Sequence, residues 1–226
     1  MGLVIFLYAF SSLRSSAKPP SDLVVNFKGD NNIYITAEAV NKLLIQNNQD
    51  VMSVPKDILD LNGLETALKS NAMIKTAEVY LTVNGEVRAD IEQRRPIARV
   101  QNNEAYYIDA DGKSMPLSSN YSARVPLVRG VVDKNDLINI YKVASKINKD
   151  EFLRTHVVEI HQGQSRNVTL KMRQLDFEVA IGKVEHLDRK INNLKAFYQK
   201  AKKDKSLDEY SRVNLQFENQ VVCTKK

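Results

Sequence analysis

The 226-residue sequence has few of the residues on which metal sites and disulfide frameworks depend. It contains one cysteine, three histidines and no tryptophan. A single cysteine excludes an intramolecular disulfide and any cysteine-rich metal cluster within one chain. Three histidines leave little material for a histidine-built metal site. The net charge of +6 is mild, so it permits contact with anionic surfaces but does not by itself indicate nucleic-acid binding.

Sequence motifs of enzymes are missing as well, because no P-loop, dinucleotide-binding glycine fingerprint or HExxH pattern occurs. Asp109–Gly112 imitates the opening of a calcium loop, but the later acidic ligand is missing and the position suits a hairpin turn. His156 and His161 flank one expected strand on opposite faces, so they cannot share a metal there. Cys223 has no histidine or acid near it, which favours a small buried side chain over a nucleophile. We therefore predict no catalytic residues, no cofactor and no metal.

The first 20 residues open on an apolar run, Met1–Phe10. Ten apolar residues are too few to cross a bilayer, which takes about 20. Three interpretations stay open: the second half of a transmembrane helix whose true start codon lies upstream, a weak signal peptide, or a hydrophobic strand. Arg14 and Lys18, followed by Pro19–Pro20, are typical of a juxtamembrane stop and a stiff spacer. They favour a membrane-helix remnant with its spacer over residues 1–20.

Residues 21–96 show the signals of a small mixed domain. A strand is expected over Asp22–Lys28, and then a helix that Thr36 caps. Asn62 with Glu65 resembles a capping box and predicts a second helix. Two alternating runs joined by Asn84–Gly85 predict a β-hairpin with a type I′ turn. The order strand, helix, helix, hairpin indicates an α+β fold.

Residues 97–226 read as a second, mainly antiparallel β domain with two amphipathic helices. Pro96 interrupts the pattern and marks the boundary, because proline cannot donate to a central ladder. Asp133 is expected to cap the first helix, and the second is expected over Lys183–Lys203. The remaining segments predict strands near 105–108, 115–117, 157–160, 168–172 and 177–181, and a buried segment over 125–128. The basic stretch at the end of the second helix is interpreted as a solvated helix end, whose lysines suit the helix dipole.

The last element, Arg212–Cys223, alternates apolar and polar residues and predicts one strand that ends the chain. A terminal strand is often an edge strand, whose unpaired backbone groups can accept a strand from a partner. An internal strand paired on both sides, or an edge blunted by Lys225–Lys226, explains the pattern equally well. If the edge interpretation holds, proline at Asn214 or Leu215 should abolish partner binding and leave the first domain folded.

Three passages carry a resemblance to a known family. SNAMIKTAEVYLTVNGEVRADIEQRRPIARV (Ser70–Val100) resembles a POTRA domain leading through a basic-basic-proline step into a β domain. YYIDADGKSMPLSSNYSARVPLVRG (Tyr106–Gly130) is similar to the start of that β domain in the bacterial FtsQ/DivIB cell-division family. YSRVNLQFENQVVCTKK (Tyr210–Lys226) resembles the C-terminal strand of Bacteroidetes-type members.

The resemblance implies a non-enzymatic, single-pass protein of the inner membrane, with POTRA and β domains in the periplasm at the division septum. Such proteins assemble the divisome by binding FtsB- and FtsL-type partners through the last strand and the helix before it. Other septal proteins are expected at the POTRA domain, and neither nucleic acid nor a small-molecule substrate is expected. Carried onto this sequence, the partner-binding residues are Arg212, Val213, Asn214, Leu215, Gln216, Phe217 and Asn219, with Tyr198 on the preceding helix. The alternatives are a POTRA-containing component of outer-membrane assembly or secretion, and a secreted periplasmic adaptor.

Overall fold

A computed structural model describes residues 4–6, 18–30, 32–47, 52–102, 104–217 and 220–226. The expected membrane-helix remnant therefore lies mostly outside the described residues. The chain divides into two compact units between Arg94 and Arg95. The first unit holds the described residues up to Arg94 and also takes in Ser118–Ser122, while the second holds the other described residues.

The first unit is a three-stranded sheet covered by two helices. Its elements are β1 (Leu23–Lys28), α1 (Ala37–Asn47), α2 (Leu61–Ser70), β2 (Ile74–Leu81) and β3 (Val87–Gln93). The strand order is β1-β3-β2, with β1 parallel and β2 antiparallel to β3. Alternate residues of β3 and the apolar stripes of both helices meet in one core, which includes Val40, Leu44, Leu64, Leu68, Val87, Ala89 and Ile91. The predicted order of elements is confirmed.

Two local predictions in this unit are wrong. Asp60, not Asn62, caps α2, because Asp60 Oδ1 accepts the Gly63 N–H at 2.9 Å. Glu65 instead accepts the N–H of Val79 at 2.9 Å on the neighbouring strand. The hairpin turn is not type I′. A type I′ turn needs a positive φ at both central residues, and in this turn only Gly85 has a positive φ (+86°). Its backbone bonds join Gly85 N–H to Thr82 O and Thr82 N–H to Glu86 O, which describes a three-residue loop ending in a glycine bulge.

The second unit is a nine-stranded sheet with three helices. Its strands are β4 (Pro96–Gln101), β5 (Ala105–Asp109), β6 (Ser114–Met115), β7 (Leu127–Gly130), β8 (Val157–Gln162), β9 (Val168–Met172), β10 (Glu178–Gly182), β11 (Tyr210–Asn214) and β12 (Val222–Lys225). The helices are α3 (Ile138–Lys149), α4 (Glu151–His156) and α5 (Leu187–Lys203), and a 3-10 turn spans Leu207–Glu209. The strand order is β12-β11-β10-β9-β8-β7-β4-β5-β6, in which β4–β7, β7–β8 and β10–β11 are parallel and the other pairs antiparallel. The α+β class is therefore confirmed, with an antiparallel-rich sheet.

The helix starts in this unit differ from the predicted ones. Asp133 does not cap α3; its Oδ1 accepts the Asn135 N–H at 2.9 Å in a turn, and the helix begins five residues later. The helix predicted from Lys183 begins at Leu187, because His186 adopts a left-handed backbone (φ +52°) that a continuous helix excludes. The short α4 was not predicted. Asp150 caps it, with Oδ1 accepting the Leu153 N–H at 3.1 Å.

Candidate protein-interaction site

The C-terminal strand pair forms one end of the large sheet. β11 lies between β10 and β12, parallel to the first and antiparallel to the second. The prediction of a single strand over Arg212–Cys223 is therefore wrong, because the chain forms two strands there, with the first internal and the second at the edge. The sequence contains a reason, since the apolar alternation lapses at Asn219, and asparagine favours turns.

β11 contributes its apolar side chains to the core. Val213 and Leu215 are fully buried, at 0% and 1% exposure. The Leu215 N–H donates to Ala180 O at 2.9 Å on β10. Proline at Leu215 would remove this internal bond, so it would disrupt the sheet itself and would not report on a free edge. The same holds at Asn214, which pairs with Val222 of β12.

The other expected contact residues of the C-terminal segment lie on or just beyond β11. Arg212 and Gln216 are exposed, and Asn214 is half-buried with its Oδ1 accepting the Gln216 N–H at 3.0 Å. Phe217 exposes 47% of its surface, which is unusual for a phenylalanine that follows a buried strand. Asn219 lies outside the described residues.

Tyr198 belongs to an aromatic cluster on the helical side of this unit. Its ring lies 5.0 Å from that of Phe152 and 5.1 Å from that of His156, centroid to centroid. Its hydroxyl is 3.2 Å from His156 Nε2, and His156 Nδ1 is 2.8 Å from Phe152 O. These contacts give Tyr198 a structural role that connects α5 to α4.

β12 is a free edge of the large sheet, at the opposite end from the short strand β6, because no other strand of the described chain lies on its outer side. The Lys226 N–H donates to Glu209 O at 2.8 Å, toward β11. N–H groups of alternate residues in a strand point to the same side, so those of Val222 and Thr224 face β11 as well. The N–H groups of Cys223 and Lys225 then face away from the sheet. They are the donors that an added strand would use.

Exposed ion pairs accompany this edge. Lys225 Nζ lies 2.9 Å from Glu209 and Lys226 Nζ lies 2.8 Å from Asp176. The hydrogen bond to Glu209 raises the pKa of Lys225, and the bond from Lys226 lowers the pKa of Asp176. Exposed pairs of this kind contribute little stability, so the backbone ladder to β11 holds the edge in place. Both lysines are engaged in these ion pairs, so the end of β12 does not carry two unpaired charges.

Within the described residues, no group of three or more histidine, cysteine or acidic side chains could hold a metal ion. Asp109 Oδ1 accepts the N–H groups of Asp111 and Lys113 at 3.0 and 2.8 Å, which confirms the hairpin-turn interpretation. Cys223 is partly buried, and burial raises the pKa of its thiol. Among all the residues that the structure describes, no helix has the length and apolar character needed to span a membrane.

Comparison with known proteins matches each of the two units to a protein family. The family described as "FtsQ/DivIB, C-terminal related" matches residues 95–224, and the one described as "POTRA-like domain" matches residues 21–92. A cell division protein FtsQ from Geotalea daltonii (strain DSM 22248 / JCM 15807 / FRC-32) is 22% identical over 179 residues. That match covers 74% of this chain and 64% of the relative, so the chain spans somewhat under two thirds of the relative's length. Nearly all of the nine-stranded unit, with β12 up to Thr224, thus lies in the matched region, and the chain belongs to the FtsQ/DivIB C-terminal related family.

Proposed function

We propose that this protein is a non-enzymatic cell-division scaffold that binds a divisome partner by strand addition to the outer edge of β12. The observation that carries the proposal is the unpaired outer side of β12, the last strand of the unit that matches the family. The printed name of the relative from Geotalea daltonii supports a role in cell division.

The partner in this proposal is a protein of the FtsB or FtsL type that supplies an extended segment. Each backbone hydrogen bond that it forms contributes about 0.5–1.5 kcal/mol net. Side chains beside the edge then provide specificity. Arg212, Gln216 and Phe217 are exposed in this region and keep the contact role expected of them, whereas Val213 and Leu215 act by holding the edge on the core.

Anchoring to the inner membrane, with both units in the periplasm at the septum, is part of the same proposal. The apolar run Met1–Phe10 and the proline-containing spacer that follows it support an anchor at this end of the chain. The POTRA-like unit would contact further septal proteins.

The test is a proline at Cys223, which removes an outward N–H without removing a bond to β11. Proline is tolerated on edge strands where its nitrogen faces solvent. We expect Cys223→Pro to lower the affinity for the FtsB-type protein of the same genome at least about tenfold, since an added strand loses a hydrogen bond and meets the ring. Isothermal titration calorimetry measures the affinity, and circular dichroism checks the fold.

Two further variants make the result specific. Cys223→Ala loses the thiol but keeps the N–H, so it should bind like wild type. Thr224→Pro removes an N–H that faces β11, so it should reduce thermal stability as well as binding. Wild-type affinity of Cys223→Pro would refute strand addition at this edge.

A further inference from the structure

Three arginines surround a cleft at one end of the large sheet. The cleft has a volume of about 250 Å³ and lies where β4, β7 and β8 begin. Arg124 precedes β7, Arg154 lies on α4, and Arg173 directly follows β9. The apolar walls include Ile97, Pro126 and Val157. Strands β10 and β11 separate this cleft from the edge strand β12.

The three guanidinium groups have no acidic partner among the described residues. All three arginines are exposed, and their side chains form no ion pair there. Two other arginines of the same unit are paired: Arg129 lies 3.8 Å from Glu159, and Arg166 lies 2.7 Å from Asp136.

Asp150, four residues before Arg154, is already engaged, and Glu151, three residues before it, forms no ion pair with it. Asp150 Oδ2 lies 2.5 Å from Lys195 Nζ, while its Oδ1 caps α4. No acidic residue lines the cleft. The cleft therefore presents three positive charges over an apolar floor, without an internal counter-charge in the described chain.

We propose that this cleft binds an acidic, partly apolar segment of a partner protein. A guanidinium group offers parallel N–H donors that match a carboxylate bidentately, which favours glutamate or aspartate side chains at the rim. The floor formed by Ile97, Pro126 and Val157 suits an apolar side chain between them. None of the exposed large apolar side chains in the described chain lines the cleft, so no membrane-inserting group accompanies the arginines. This arrangement favours a peptide over a lipid surface as the occupant.

The test starts from a random 12-residue peptide library, selected on the full chain. We expect enrichment of sequences that combine acidic and apolar residues. The affinity of the best synthetic peptide, measured by fluorescence anisotropy, should fall at least about tenfold in the triple variant Arg124→Gln, Arg154→Gln, Arg173→Gln. All three positions are exposed, so this variant should keep the wild-type circular dichroism spectrum.

A second triple variant matches the charge change elsewhere. Lys200→Gln, Lys202→Gln and Lys203→Gln remove three exposed charges at the end of α5 and should leave the peptide affinity unchanged. Cys223→Pro should also leave it unchanged, which separates this site from the edge of β12. Equal losses in both triple variants would contradict the proposal, as would failure to enrich acidic peptides. Arginine-dependent binding to phosphatidylglycerol vesicles without binding to any peptide would overturn it in favour of a lipid site.

Discussion

Gly130 stands where the backbone conformation and the available space both require glycine. Its φ is +94°, and an added Cβ would lie 2.1 Å from Gln162 O. That oxygen is held in place because it accepts the Val131 N–H at 2.8 Å. We expect Gly130→Ala to lower the free energy of unfolding by at least about 2 kcal/mol, measured by urea denaturation.

Gly163 provides the matched control, because it has no positive φ and an added Cβ would come no closer than 3.9 Å to Asn167 O. Gly163→Ala should change the stability by less than about 1 kcal/mol. Equal changes in the free energy of unfolding for the two substitutions would show that the close approach of Gln162 O does not require glycine at position 130.

Gln93 illustrates a residue whose role could not be predicted from the sequence. It is buried at the end of β3, where its Oε1 accepts the N–H groups of Tyr34 and Ile35 at 2.9 and 3.3 Å. Its Nε2 donates to Ile35 O at 2.8 Å. These bonds satisfy backbone N–H and C=O groups of the loop before α1. Buried backbone groups need such hydrogen-bond partners because they have no access to water. Local pattern cannot reveal them, because the bonded residues lie 58 and 59 positions apart.

At the scale of elements, Asp150 connects α4 to α5. Burial raises the pKa of its carboxyl, but the hydrogen bonds from Lys195 and Leu153 and the charge of Lys146 outweigh burial, so the net pKa lies below 3.8. A carboxyl whose pKa is lowered by folding stabilises the protein above its unfolded pKa, and this stabilisation is lost as pH falls through the folded value.

Asp150→Asn keeps an oxygen that can cap α4 but removes the charge. We therefore expect a loss of roughly 1–2 kcal/mol at pH 7, and a difference from wild type that shrinks as pH falls below about 4. Urea denaturation between pH 7 and pH 2 measures this. Asp188→Asn is the control, since Asp188 pairs with Lys146 but its side chain is 84% exposed, so its pH profile should follow wild type. Parallel profiles for Asp150→Asn and wild type would contradict the role of the charge.

Elements with a regular period could be predicted, and their ends and partners could not. The stripe Ile140, Ala144 and Ile147 predicted α3 because helical spacing places these residues on one face, and all are buried. Its start at Ile138 depends on the turn that Asp133 closes, a local competition that spacing does not reveal. The C-terminal segment was predicted wrongly as one strand. The lapse of alternation at Asn219 favours a turn, but it does not show which of the two strands is internal, because that depends on the parallel pairing of β11 with β10.

At the scale of the whole molecule, the sequence predicted an α+β chain, and each of the two compact units has its own core. Membership of Ser118–Ser122 in the first unit could not be predicted, because this segment lies between β6 and β7 of the second. Ser118 Oγ donates to Tyr34 O at 2.7 Å, and the Tyr121 ring lies 5.8 Å from that of Tyr34. Such bonds between distant parts of the chain carry no periodic signal.

Hydrogen exchange can test this assignment through a core cavity in the first unit. Leu68 is fully buried there, and Leu68→Ala should destabilise that unit by about 2–5 kcal/mol. The Asn120 N–H, which donates to Ser118 Oγ at 3.1 Å, should then exchange faster, together with the amides of β1–β3. Amides of β8–β10 should change less. Ile160→Ala in the second unit is the reciprocal control and should accelerate β8–β10 more than Asn120. If Asn120 instead follows β8–β10 in both variants, the segment 118–122 unfolds with the second unit, and its bonds to Tyr34 are too weak to couple it to the first.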